Sequence, residues 1–173
     1  EVGTIEPIYQ IGKIAREKQI LFHTDAVQAY AQIPLSVNYY SVDLLSASAH
    51  KFHGPKGVGF LYIRDGIDIP SFIHGGSQER GKRAGTENVA GIVGMAKAAE
   101  IAYGNMRKRV QKEIMLRNYL IERVMHEIPD AKLNGHRSVR LPGNVNFSFK
   151  GLEGASLLIL LDEDGICASG GSA

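Results

Sequence analysis

The sequence predicts an α/β fold, a sheet with helices packed against its faces. Three observations carry this. Helix-period and strand-like segments alternate through the first third of the chain. The apolar runs between turn residues are short, as buried strands are. Glycine is abundant, 20 of 173 residues, and gathers in short clusters where backbone turns sharply or approaches a ligand.

Residues Thr4 to Gln19 are predicted as a helix, with Pro7 in its first turn and Ile8, Ile11, Ile14 and Ala15 on one face. Ile20 to His23 reads as a short buried strand that ends at Thr24-Asp25, and Ala26 to Gln32 as a short helix. Val42 to Ser48 is the second strand, Gly54-Pro-Lys-Gly57 a turn, and Val58 to Ile63 the third strand. His74 to Thr86 carries too many charges and glycines for a buried strand and is expected to be an ordered loop. Glu87 to Ile128 is one long helical stretch with an interruption near Gly104 or Asn105, stopped by Pro129. Asn144 to Phe149 alternates as a strand, Gly154 to Leu161 is a helix, and Gly165 to Ser169 is a last short strand. A domain boundary falls near Tyr103 to Arg107. It divides an α/β part, residues 1–105, from an α+β part, residues 106–173, with the long helix as the join.

Composition removes several classes. Hydrophobic residues at 44% and charged residues at 22% are ordinary globular values, which argues against disorder. A net charge of +2 is too small to imply direct binding of nucleic acid or a membrane surface. No apolar run approaches the roughly 18 residues that cross a bilayer. The opening residues lack the basic start and apolar stretch of a signal peptide. The single cysteine, Cys167, cannot form an internal disulfide, so a reducing compartment is expected. Flanked by Ile166 and Ala168, it reads as a buried structural thiol and not as a nucleophile.

The chemistry concentrates in two runs. In Ser48-Ala-His-Lys51 the serine and histidine are two apart at a strand end, so both side chains can face one side. Lys51 comes next, where the strand gives way to a glycine turn, at the carboxyl edge where open α/β sheets bind ligands. An amine placed there can form a Schiff base with an aldehyde. A lone lysine in such a turn is by default merely solvated. In His23-Thr-Asp25-Ala-Val-Gln28, Asp25 ends a strand and Gln28 lies one turn further on. That carboxylate can pair with a pyridinium nitrogen, or simply cap the helix expected after it. His23, His50, His53 and His74 raise a metal site, but carboxylates at ligand spacing are missing and no metal is expected.

Together, Asp25-Ala-Val-Gln28, Ser48-Ala-His-Lys-Phe-His-Gly-Pro-Lys-Gly57 and Arg80-Gly-Lys-Arg-Ala-Gly-Thr86 resemble the cysteine desulfurases of the NifS/IscS type along essentially the whole chain. The final run Gly165 to Ala173 is similar to the segment leading into that family's active-site loop. The resemblance implies a fold-type-I enzyme dependent on pyridoxal 5'-phosphate (PLP), with part of the large PLP-binding domain and part of the smaller C-terminal domain present. It implies that Lys51 holds the cofactor covalently and acts as the catalytic base. Asp25 pairs with the ring nitrogen, Gln28 contacts the phenolic oxygen, and Ser48 and His50 bind the phosphate. His23 lies near the cofactor. Thr86 reaches the phosphate of the neighbouring subunit's cofactor in a homodimer. The implied reaction converts L-cysteine to L-alanine and a protein persulfide. The sulfur goes to an iron–sulfur scaffold protein or to tRNA thiolation, in the cytoplasm or, in a eukaryote, the mitochondrial matrix.

Two features depart from the family pattern. The family's nucleophilic cysteine would directly follow Ala173, and the family's ring-stacking histidine and substrate-clamping arginine have no counterpart in these residues. The chain alone is therefore expected to be inactive. A selenocysteine lyase or aminotransferase of the same fold, and a non-catalytic fragment, are the competing readings.

Overall fold

A computed structural model of the chain describes residues 1–171. It divides into two compact units, one formed by Pro7–Met106 and the other by residues 1–6 with residues 107 onward.

The first unit is built on a three-stranded mixed sheet in the order β1 (His23–Asp25), β2 (Leu44–Ser48), β3 (Gly59–Ile63). β1 pairs parallel with β2, aligning Asp25 with Ser46, and β2 pairs antiparallel with β3, aligning Ser48 with Gly59. Alternation sorts the strands by face. Leu45 and Ala47 point into a core shared with Ala26 and Val42, against which Ile8, Phe22, Tyr30, Phe60 and Tyr62 pack. His23, Asp25, Ser46 and Ser48 share the opposite, polar face.

The elements differ from expectation where local pattern met a tertiary constraint. Helix α1 runs Ile8–Glu17 and starts later than predicted, because Pro7 occupies the N-cap and Thr4 is bridged to Arg140 within the second unit. Its packed edge is Ile8, Gly12 and Ala15, while Ile11 and Ile14 are exposed. Gly12 lies against the Tyr40 carbonyl, where a Cβ would sit 2.0 Å from the oxygen. Ile20 and Leu21 are exposed and outside β1, since the ladder with β2 begins only at His23 and Leu44. Residues 26–33 form successive turns, not a helix, and Ala31 has φ 60°. Residues Ala49–Phe52 close into a 3-10 turn where none was expected.

Helix α2 (Val89–Gly104) and helix α3 (Met106–Glu127) are separated at Asn105, whose side-chain amide donates to the Ile101 carbonyl. The edge of α2 carrying Met95, Ala98, Ala99 and Ala102 packs on Ala31, Ala49 and Phe52.

In the second unit, β4 (Ala131–Leu133) pairs antiparallel with β5 (Phe147–Phe149), and α4 (Gly154–Glu163) comes after them. β4 has no signal in the sequence; three residues are too few to show alternation. The strand expected at Gly165 to Ser169 does not form. Gly165 turns at φ 75°, Ile166 N–H caps α4 on the Leu161 carbonyl, and no ladder partner is present among the described residues. Without that strand Cys167 is exposed, correcting its reading as a buried thiol. Ser172 and Ala173, the end of the predicted approach to an active-site loop, lie outside the described residues.

Two buried arginines organise this unit. Arg140, only 3% exposed, donates to the carbonyls of Val2, Asn134 and His136 and to Asn144 Oδ1. Arg117, on α3, donates to the carbonyls of Arg140 and Leu141. Burial holds both guanidinium groups below their ordinary range, and the charge of Arg117 lowers Arg140 further.

Candidate functional site

The carboxyl ends of the parallel pair β1 and β2 lie at one edge of the sheet, which brings His23 and Asp25 beside Ser46 and Ser48. This is where an open α/β sheet receives ligands, because the strands stop while their connections diverge. His23 Nε2 lies 3.2 Å from Ser46 Oγ, fixing the imidazole on the polar face. Asp25 Oδ1 accepts from the Val27 N–H at 2.8 Å. Both readings of Asp25 are thus compatible: one oxygen caps the turn, and the exposed residue still has a second oxygen.

Beyond Ser48 the chain winds into the 3-10 turn Ala49–Phe52. The turn is held by burial of Ala49 and Phe52, which leaves His50 exposed and Lys51 half-buried. Ser48 Oγ and His50 Nδ1 form a hydrogen bond of 2.8 Å whose donor depends on the imidazole tautomer. The Lys51 carbonyl accepts from Gln32 Nε2 at 3.4 Å, tying the lysine turn to the turns after Asp25. The chain leaves through His53 at φ 67° and then Gly54, whose Cβ would meet Ala49 at 2.8 Å. Opposite Ser48 stands Gly59. A Cβ there would lie 2.5 Å from the Ala47 carbonyl, so only glycine keeps β3 on β2 beside Ser48.

The structure therefore gathers His23, Asp25, Ser48, His50 and Lys51 at one sheet edge, with Gln28 exposed in the adjoining turns. Thr86 is exposed at the end of the glycine-rich loop and has no hydrogen bond to these residues among those described. That loop contains a short 3-10 turn at Glu79–Gly81 and is tethered by Lys82 to Asp68 at 2.8 Å. Reading the residues missed Ser46, Gln32 and Gly59. Alternation would have found Ser46, two residues before Ser48 on the same face. Gln32 carries no signal, since its contact spans 19 residues through a bent turn. No group of three or more metal-ligating side chains occurs among the described residues.

The donor set suits a phosphorylated aldehyde cofactor. A hydroxyl and an imidazole at a 3-10 turn can bind a phosphate, a lysine follows them on the same turn, and a carboxylate ends the neighbouring strand. Residues 1–173 match the aminotransferase class-V family over their whole length. The chain belongs to that family.

This class-V chain is 58% identical over 173 residues to a protein of Dictyoglomus turgidum named cysteine desulfurase IscS. It is 54% identical over 173 residues to the IscS of Methanosarcina thermophila. The whole chain is covered in both, but only 44% and 43% of those relatives' lengths, so it spans less than half of the curated proteins it matches. Among solved structures, a NifS-like protein superposes with a TM-score of 0.91 at 44% identity, covering 98% of this chain and 46% of the other. The NifS-like protein of Rickettsia africae gives 0.92 at 30% identity, covering 99% and 48%. The α/β class-V fold of this chain is the fold of those NifS-like proteins.

Proposed function

We propose that this chain carries the cofactor-binding part of a PLP-dependent cysteine desulfurase. The observation that supports this most is Lys51 on the 3-10 turn at the carboxyl end of β2, directly after the hydrogen-bonded Ser48–His50 pair and next to the strand that ends in Asp25. The names of the similar proteins agree with it.

When bound, PLP supplies an electrophilic aldehyde carbon and a ring that withdraws electrons from a substrate carbon. The Lys51 amine would hold the cofactor covalently and would be the group that moves a proton at the substrate α-carbon. Ser48 and His50 would bind the phosphate, and the Asp25 carboxylate would pair with the ring nitrogen and favour its protonated form. Gln28 donates to the phenolic oxygen, and His23 lines the same face. Thr86 would serve the partner subunit's phosphate in a homodimer. The substrate is L-cysteine. Its sulfur passes to a thiol of the complete enzyme, giving a persulfide and L-alanine. An iron–sulfur scaffold protein or a tRNA-thiolation acceptor then takes the sulfur, in a reducing compartment such as the cytoplasm or mitochondrial matrix.

The test uses the complete protein. Borohydride should discharge its yellow colour and leave the label on Lys51. L-cysteine should give alanine and persulfide, and Lys51→Ala should abolish both. A label on any other residue, or undiminished turnover in Lys51→Ala, removes the proposal.

A further inference from the structure

Cross-strand pairing sets the polar face of the three-stranded sheet in rows. His23 pairs with Leu44 and through it with Ile63, then Asp25 with Ser46 and Leu61, then Ser48 with Gly59 at the edge. Successive rows lie about 6.7 Å apart, two residues along a strand. The row of His23 offers its imidazole only the aliphatic side chains of Leu44 and Ile63. The ring instead leans one row toward the carboxyl edge, where Nε2 lies 3.2 Å from Ser46 Oγ. That contact puts a ring nitrogen of His23 in the row that begins with Asp25.

Ser46 is well placed to hold the ring there. It stands on β2, the central strand, whose backbone is fixed by a ladder on each side. The opposite face of β2, Leu45 and Ala47, is buried in the core, so the strand cannot turn Ser46 away. The serine side chain is short and half-buried, which leaves its hydroxyl few positions. His23 is exposed, and its imidazole turns about two side-chain torsions, so the bond to Ser46 selects its direction. A hydroxyl both donates and accepts. It therefore serves either neutral tautomer, while fixing Nε2 as the engaged nitrogen.

We propose that Ser46 is a positioning residue: its hydroxyl holds the His23 imidazole in the row of Asp25, and it acts on the reaction only through that ring. The effect on activity rests on the desulfurase reading, in which Asp25 pairs with the ring nitrogen of the cofactor. An imidazole fixed in the same row sets the polarity around that carboxylate. Ser48 lies in the next row, and His50 and Lys51 lie beyond it. Loss of the Ser46 hydroxyl should therefore act on turnover more than on cofactor retention.

The experiment compares the complete enzyme as wild type, Ser46→Ala, Ser46→Thr, His23→Ala and the double variant of Ser46→Ala with His23→Ala. Nitrogen-15 NMR of the His23 ring in the PLP-free protein, at mildly alkaline pH where an imidazole is neutral, reads the contact directly. Ser46→Ala should shift the Nε2 resonance, and Ser46→Thr should leave it near wild type. With PLP and L-cysteine, Ser46→Ala should keep PLP affinity and KM within about twofold and lower kcat by about tenfold, as a misplaced group does. Ser46→Thr should recover most of kcat. The double variant should be no slower than His23→Ala, because residues acting as one unit are not additive. An unshifted Nε2 resonance or an unchanged kcat in Ser46→Ala, or rate losses that multiply in the double variant, overturns the proposal. If Ser46→Ala does not fold, Ser46→Cys decides by the same readings, since a thiol is close in size and is the weaker hydrogen-bond partner. If wild type binds no PLP and makes no alanine, the desulfurase reading fails. The ring resonances of the PLP-free protein then judge the contact: a shift in Ser46→Ala that Ser46→Thr lacks supports it, and no shift removes it.

Discussion

Asp43 shows how much one carboxylate can fix. Its Oδ2 accepts from the Phe22 N–H at 2.9 Å and its Oδ1 from Arg64 Nε at 3.0 Å, while Arg64 Nη2 donates to the Val42 carbonyl at 2.7 Å. The pair is largely buried, with side-chain exposures of 17% for Asp43 and 25% for Arg64. It ties the entry to β1, the entry to β2 and the exit from β3. Asp43→Ala strands a backbone donor and a guanidinium, and should lower stability by about 2–3 kcal/mol in urea unfolding; Asp43→Asn, which keeps one acceptor, should lose less. Asp68 is a contrasting case on the surface. The Lys82 ammonium, by hydrogen bond and charge, holds its carboxyl below the ordinary carboxylate range. A depressed acid stabilises the fold above the unfolded-state pKa, and that contribution is lost as pH falls through the folded value. Carbon-detected titration should find Asp68 ionised to lower pH than in Lys82→Met, and identical titrations in both would refute the pairing. Gly59→Ala, which sets a methyl 2.5 Å from the Ala47 carbonyl, should part β3 from β2 and weaken PLP binding in an absorbance titration of the complete protein.

Among the elements, α2 decides how firmly the lysine turn is held. Its apolar residues run around most of the helix, but the edge through Met95, Ala98, Ala99 and Ala102 is the one that meets Phe52 and Ala49. Gly94 comes so close to Pro55 that a Cβ would sit 2.8 Å from Pro55 Cγ. The start of the helix is fixed by Asn88, whose Oδ1 accepts from the Gly91 N–H at 3.1 Å. Asn88→Ala should cost about 1 kcal/mol, measured by chemical denaturation, and should raise amide exchange through the first turn of α2. Unchanged exchange there would show that packing on the lysine turn, and not the cap, sets the helix start. At its other end, Asn105 donates back to Ile101 instead of continuing the helix into α3.

At the scale of the molecule, the C-terminal unit is discontinuous in sequence: residues 1–6 belong with residues 107 onward, and Pro7–Met106 forms the other unit. Cooperative loss should respect that division. Gly3→Val places a branched side chain at φ 80° and against Asn144. It should raise amide exchange at Ile5 and Leu141, which lie near opposite ends of the chain, while leaving β1–β3 protected. Equal loss of protection in β1–β3 would mean that the units unfold as one.

Sequence alone settles the α/β class, because alternating periodicity and turn residues are local and survive without neighbours. It also determined which residues gather at the sheet edge: Asp25, Ser48, His50 and Lys51 all lie at or just beyond the ends of two strands, and strand ends are marked by glycine and polar residues. The helix interruption at Asn105 was legible for the same reason. The remaining features come from packing between distant segments. That β3 runs antiparallel to β2, that Ile20 and Leu21 are exposed, and that Cys167 is exposed depend on which strand is available to pair. Thr4 leaves α1 for Arg140, and Gln32 reaches Lys51, through contacts between residues far apart in sequence. Periodicity reports which side of an element is apolar; it carries no information about what lies opposite, and hydrogen bonds across long separations are chosen by that opposite surface.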